Sequence, residues 1–180
     1  MKGLVFTTFY DFIEKRFGAE MLDDVIEAAK LPHSGAYTVV GTYPFEEMVA
    51  LASAAAKHTQ LKLPVLLEQF GEHCFASWHH KMPDRFKGKD LFDILANVND
   101  FHESEVRRLY PDAELPTFDC VSRNASTMVM DYRSCKPLAD LAAGVIRGAS
   151  IYTGTAVQIS QCPMHEMAGK PVRIEVQKVR

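Results

Sequence analysis

Hydrophobic residues in the first half of the chain recur at steps of three and four, the spacing of one helical face. Val5, Phe6, Phe9, Phe12, Ile13 and Phe17 form the first stripe, and Gly18 breaks it. Met21, Leu22, Val25, Ile26 and Ala29 repeat the pattern up to Leu31 and Pro32. After a polar, glycine-containing loop, Phe45, Met48, Val49, Ala52 and Ala56 predict a third helix behind Pro44, a residue suited to a helix start. Pro64 opens a fourth helix with Leu66, Leu67 and Phe70 inward, and residues 71–82 read as a shorter aromatic and histidine-rich piece. A loop bracketed by Pro83 and Gly88 leads into a long helix over about 90–110. Leu91, Leu95, Val98, His102, Val106 and Leu109 lie on one side of it, and Pro111 and Pro116 end it.

The period then falls to two. Phe118 and Cys120 alternate with polar neighbours, and Met128, Met130, Tyr132 and Ser134 alternate with Val129, Asp131 and Arg133. This predicts a hairpin with its turn at Ser122-Arg123-Asn124. A small-residue helix over about 137–152 follows, with Leu138, Leu141, Ala142, Val145 and Ile146 inward. Two further strands sit at 157–159 and 172–176. Helices followed by β-β-α-β-β make an α+β fold: a helical N-terminal subdomain, then a four-stranded antiparallel sheet with helices.

A length of 180 residues suits one domain with a sizeable core. Net charge is −3 with no basic block, which disfavours nucleic acid and anionic membrane as partners. No apolar run approaches the ~20 residues that span a bilayer. The apolar start of the chain is interrupted by Asp11, Glu14, Lys15 and Arg16, too early for a signal peptide, so it is expected to belong to the fold. Cys74, Cys120, Cys135 and Cys162 are widely spaced without a C-x-x-C pair, which predicts reduced, mostly buried thiols in a cytoplasmic protein.

Two features carry chemistry. His102 lies on the apolar stripe of the long helix, where it is either a satisfied core histidine or a metal ligand. As a ligand it would be a neutral imidazole fixed through its second nitrogen. Thirty residues on, Tyr132, Ser134 and Lys136 share one face if the segment is a strand. Phenol, hydroxyl and ammonium could then converge on carboxylates, or the run could simply end a strand with Lys136 in solvent. A lone histidine together with carboxylate-binding donors describes a pocket for haem, whose porphyrin supplies four nitrogens and leaves the sixth position for a gas.

Met1-Lys2-Gly3, Phe101-His102-Glu103-Ser104-Glu105-Val106, Leu115-Pro116 and Tyr132-x-Ser134-x-Lys136 occur in the order and spacing of H-NOX (haem-nitric oxide/oxygen binding) domains. The resemblance covers essentially the whole chain, 1–180, as a single H-NOX domain of the bacterial stand-alone type. It implies a distal helical subdomain over about 1–62 and a proximal haem-binding subdomain over about 63–180. His102 then matches the proximal ligand of haem b, Tyr132 and Ser134 the propionate-binding residues, and Pro116 the proline that presses on the porphyrin. The chain departs at Lys136, where the family has arginine. A flexible point charge replaces a planar fork that grips a carboxylate with two bonds. Oxygen-binding relatives carry a distal tyrosine where this chain has Leu141, which has no donor. Phe9 and Cys74 match positions that support that tyrosine, and with Leu67 they would line the distal wall. The resemblance therefore implies a sensor of nitric oxide and carbon monoxide that discriminates against oxygen. Gas binding is expected to weaken the His102–iron bond, relieve the contact with Pro116 and signal to a histidine kinase or a diguanylate cyclase/phosphodiesterase.

His79 and His80 read as surface residues. Cys162-Pro163-Met164-His165 has a Cys-x-x-His spacing that, with Cys135, could hold zinc, as in some family members. A haem-free or zinc-containing redox-sensing module on the same fold is thus the alternative. Without a glycine-rich phosphate loop, G-x-S-x-G or H-E-x-x-H, the sequence makes no case for an enzyme.

Overall fold

The computed structural model describes residues 1–164 and 171–179. The chain divides into two compact units, Met1–Phe70 and Gly71–Arg180. The division falls within the fourth helix.

The first unit holds α1 (Gly3–Phe17), α2 (Ala19–Ala29), a 3-10 turn (Pro32–Gly35), α3 (Phe45–Thr59) and the start of α4 (Leu63–Lys81). The predicted stripes supply most of its core: Phe6, Phe9, Phe12 and Ile13 from α1, Val25 from α2, Met48 and Ala52 from α3, and Leu66, Leu67 and Phe70 from α4; on α3 Leu51 and Ala55 are buried as well, whereas the expected Val49 is 45 % exposed. Phe9 and Phe12 both meet the Phe70 ring, Phe9 edge-on at 5.1 Å. The chain start is fastened rather than loose, since Lys2 bridges Thr42 and the Gly3 amide donates to the Gly41 carbonyl at 2.8 Å.

The second unit carries a segmented helical run, α5 (Leu91–Ala96), α6 (Val98–Phe101) and α7 (Arg107–Leu109), and then the sheet. β1 (Thr117–Arg123) and β2 (Thr127–Arg133) form the hairpin, α8 (Ala139–Tyr152) follows, and β3 (Val157–Pro163) and β4 (Val172–Lys178) complete an antiparallel sheet of order β1-β2-β4-β3. Met128, Met130, Tyr132, Ile174 and Val176 cover its inner face and pack with Phe75, Leu91, Phe92, Leu95, Ala142 and Ile146 from the helices. On the outer face Asp119, Asp131, Arg173 and Cys162 align across all four strands. Asp131 is only 4 % exposed yet charged, because the Arg173 guanidinium grips it with two bonds of 2.8 and 3.1 Å. That pairing holds its carboxyl below the usual range.

Several expectations change. Residues 71–82 are no separate piece, since α4 runs unbroken through Gly71 to Lys81. Glycine is needed there, because a Cβ would lie 2.3 Å from the Leu141 carbonyl oxygen of α8. Gly148 of α8 allows the reciprocal approach, with Phe75 of α4 2.7 Å from where its Cβ would be. The hairpin turn lies at residues 124–126. A bulge between Cys120 and Ser122 lengthens β1 to Arg123, and the Asn124 side chain then accepts from the Ser126 and Thr127 amides at 2.9 and 2.8 Å. The thiols are not mostly buried. Cys74 is buried, whereas Cys120 and Cys162 sit in the two edge strands and Cys135 in the turn after β2, all three exposed. His79 is partly covered, its ring 4.2 Å from that of Tyr152.

Gly71→Ala should destabilise the protein by about 1–3 kcal/mol through overpacking, lowering the melting temperature by about 2–4 °C per kcal/mol. An unchanged thermal melt would contradict the close approach of α4 and α8. Asp131→Asn should be less stable than the parent at neutral pH. A carboxyl depressed in the folded state stabilises above its unfolded value of about 3.9 and loses that contribution as pH falls through the folded value. The stability gap measured by denaturant titration should therefore close below about pH 4. A gap constant with pH would exclude the ion pair as its source.

Candidate haem-binding site

The helical run that carries His102 is built in segments. Asp90 caps α5, accepting from the Asp93 amide at 2.7 Å. α6 then leads into one turn of π-helix (His102–Val106) and the short α7. The Arg107 amide donates to the His102 carbonyl, the five-residue step of a π-turn. This extra residue rotates the end of the run, so Leu109 leaves the predicted stripe and is 67 % exposed. π-turns concentrate at functional positions in helices, and this one begins at the candidate ligand.

The His102 Nδ1 lies 3.1 Å from the Pro116 carbonyl oxygen. A neutral ring that donates from Nδ1 keeps its lone pair on Nε2. Burial disfavours the charged ring and moves its pKa below the usual histidine range, while the Pro116 carbonyl pulls weakly the other way. The result is an oriented, neutral imidazole with one free nitrogen, the form that ligates metals. Among the described residues no group of three or more His, Cys, Asp or Glu is gathered around a metal position. A single oriented imidazole suits iron whose remaining in-plane ligands come from porphyrin.

Tyr132, Ser134 and Lys136 do not share a strand face. β2 ends at Arg133, opposite Thr117. Pro116, just before β1, gives its carbonyl to His102 on the side away from β2, where Phe118 also points its backbone groups. Ser134–Lys136 instead form a turn that folds over Tyr132. The Lys136 amide donates to Ser134 Oγ at 3.1 Å, and the Tyr132 hydroxyl donates to the Lys136 carbonyl at 3.3 Å. Tyr132 is 5 % exposed, and desolvation raises its phenol pKa, with the Ser134 hydroxyl opposing. The turn thus gathers the Tyr132 and Ser134 hydroxyls. The Lys136 ammonium points to Glu114, 2.5 Å away, and lies 3.4 Å from Cys135 Sγ.

Leu141 lies in the first turn of α8, its carbonyl against Gly71, and Cys74 is buried one turn beyond Gly71 on α4. Phe9 is fully buried within the first unit. Of the zinc candidates, Cys135 and Cys162 are exposed on different elements and His165 is outside the described residues.

Sequence reasoning missed Asn99. Its Nδ2 donates to the Phe118 carbonyl at 2.9 Å, and its Oδ1 accepts from the Phe118 amide at 3.0 Å. Each such bond is worth about 1 kcal/mol net. The available signal was an asparagine in a helical run, three residues before His102, where it competes with the helix unless its side chain has a partner elsewhere.

The helical unit and this four-stranded sheet, with the proline-held histidine on the helical run before it, make up the H-NOX fold. The Haem-NO-binding family matches residues 2–161, so the chain belongs to that family, whose members bind haem. Among solved structures it is similar to the unliganded ferrous H-NOX protein of K. algicida: 32% identity, TM-score 0.88, covering 100% of this chain and 97% of that one. The H-NOX of Shewanella woodyi in its Fe(II)CO state is 31% identical with TM-score 0.80, covering 99% and 95% of the two chains. The S. oneidensis protein in its Fe(II)NO state shares the fold at 21% identity and TM-score 0.85, over 100% of both chains. The family match provides no zinc, and no gathered ligand set among the described residues does so.

A thiol reagent such as Ellman's should titrate Cys120, Cys135 and Cys162 in the native protein and reach Cys74 only on unfolding. Burial removes Cys74 from the reagent and pushes its thiol pKa up. Four equivalents reacting at comparable rates would contradict that burial.

Proposed function

We propose that this chain senses nitric oxide and carbon monoxide at a ferrous haem ligated by His102, discriminates against oxygen, and signals to a separate partner protein. The observation that carries the reading is the His102–Pro116 bond, which leaves a neutral imidazole with Nε2 as its free donor. Haem, when bound, would supply a ferrous iron able to take a diatomic gas.

The remaining roles belong to the chain. His102 would hold the iron through Nε2, and the Pro116 carbonyl orients its ring. Tyr132 and Ser134 offer hydroxyls to the propionates, and the turn between them keeps the two together. Lys136 adds a positive charge but no fork, and Glu114 competes for it. Leu141, at the family's distal donor position, brings no hydrogen bond; nitric oxide and carbon monoxide need none, whereas oxygen gains from one. Two relatives, caught with nitric oxide and with carbon monoxide at ferrous iron, support the choice of gases.

Because Pro116 is tied to the His102 ring, displacement of that ring pulls on the start of β1. Such a ligand acts only through its different affinities for two states. A histidine kinase or a diguanylate cyclase/phosphodiesterase, in the cytoplasm, is the receiving partner this reading implies. No helix among the described residues is long and apolar enough to cross a membrane.

The reduced, haem-loaded protein should show a Soret band that shifts with nitric oxide and with carbon monoxide and stays in place in oxygen. His102→Gly should lose the ferrous spectrum and regain it when imidazole is added. A stable oxygen complex would overturn the discrimination. Absence of any Soret band after expression with ample haem would overturn the sensor reading.

A further inference from the structure

Phe118 is the second residue of β1, an edge strand whose neighbour on one side is β2. Its amide and carbonyl both go to one side chain, the carboxamide of Asn99. Unpaired groups on an open strand edge must find partners, and a primary amide supplies a donor and an acceptor side by side, like one rung of a ladder. Two residues earlier on the same segment, the Pro116 carbonyl takes the His102 Nδ1–H. Asn99 and His102 lie three apart on one helical run, so they are neighbours on one helix face. Three hydrogen bonds therefore splint Pro116–Phe118 along the helix that bears the imidazole.

Resting on the haem reading, we propose that Asn99 is a positioning residue for His102. Its carboxamide locks the start of β1 against the histidine helix, and this keeps the Pro116 carbonyl where it can hold the ring. The His102–Pro116 bond alone leaves the segment free to pivot about a single contact; the Asn99 pair removes that freedom. A carboxylate cannot replace the amide, since it has no proton for the Phe118 carbonyl. The π-turn that starts at His102 points the same way, because a helix with a locally irregular hydrogen-bond ladder needs external contacts to hold one side chain in a fixed direction.

The test is a double-mutant cycle on the whole chain, comparing Asn99→Asp and Asn99→Ala in the parent and in His102→Gly supplied with free imidazole. In the parent, either change should reduce haem affinity at least about 10-fold, the effect of losing a partner that orients a metal-ligating histidine. It should also lower the iron–histidine stretching frequency in resonance Raman spectra. In the His102→Gly background the free imidazole is untethered, and the same changes should leave haem affinity unchanged. In the haem-free protein, the Phe118 amide should exchange with deuterium faster in Asn99→Ala, which removes its acceptor. Equal losses in both backgrounds would show a merely structural role and overturn the assignment. So would full affinity in the parent background, or unaltered protection of Phe118 in Asn99→Ala. Asn99→Asp is nearly isosteric and keeps the comparison available if Asn99→Ala does not fold. Failure of the unmutated chain to bind haem would instead overturn the haem reading itself, and the assignment with it.

Discussion

The bond from His102 to the Pro116 carbonyl governs more of this molecule than its single 3.1 Å contact suggests. It chooses the tautomer and aims the imidazole. It also ties the residue that leads into β1 to the helix that bears the imidazole. The ladder with β2 begins one residue on, at the Thr117–Arg133 pair, and beyond Arg133 the chain turns. That turn carries Ser134 back over Tyr132 and delivers the backbone into α8.

The surroundings make that bond stable. Burial keeps the ring neutral, so its Nδ1 proton is committed to one acceptor while the other nitrogen stays available. Asn99 fixes Phe118, two residues beyond the acceptor. Behind the sheet, α4 and α8 meet at Gly71 and Gly148, which brings Leu141 and Cys74 onto a rigid part of the second unit. On the sheet's outer face, Arg173 neutralises Asp131 without drawing on the core. The helix that carries His102, the start of β1 and the α4–α8 pair are thereby held by short-range contacts.

The departure at Lys136 has a local explanation. An arginine could grip a carboxylate through two parallel bonds and still reach a second acceptor. The lysine has one ammonium, and Glu114 holds it at 2.5 Å. The Tyr132 and Ser134 hydroxyls remain close to each other, both held by the Lys136 backbone, so the motif keeps two neutral hydroxyls where its cationic group is shared with Glu114.

The sequence by itself determined the element order, the helical stripes and the family motifs, because helix faces and strand faces are read from local periodicity. It also singled out His102, Pro116, Tyr132 and Ser134 as residue types in a recognisable spacing. Only the tertiary structure decided where periodicity broke. The π-turn at His102 turned Leu109 outward, the bulge in β1 moved the hairpin turn to Asn124, and a turn closed over Tyr132 took Ser134 and Lys136 off the strand. It also decided that three of the four thiols face solvent and that Asn99 meets Phe118 across a gap of 19 residues. The physical reason is the same in each case. A strand's length, a thiol's exposure and an amide's partner depend on which distant backbone groups remain unpaired, and that is settled only when the chain has folded.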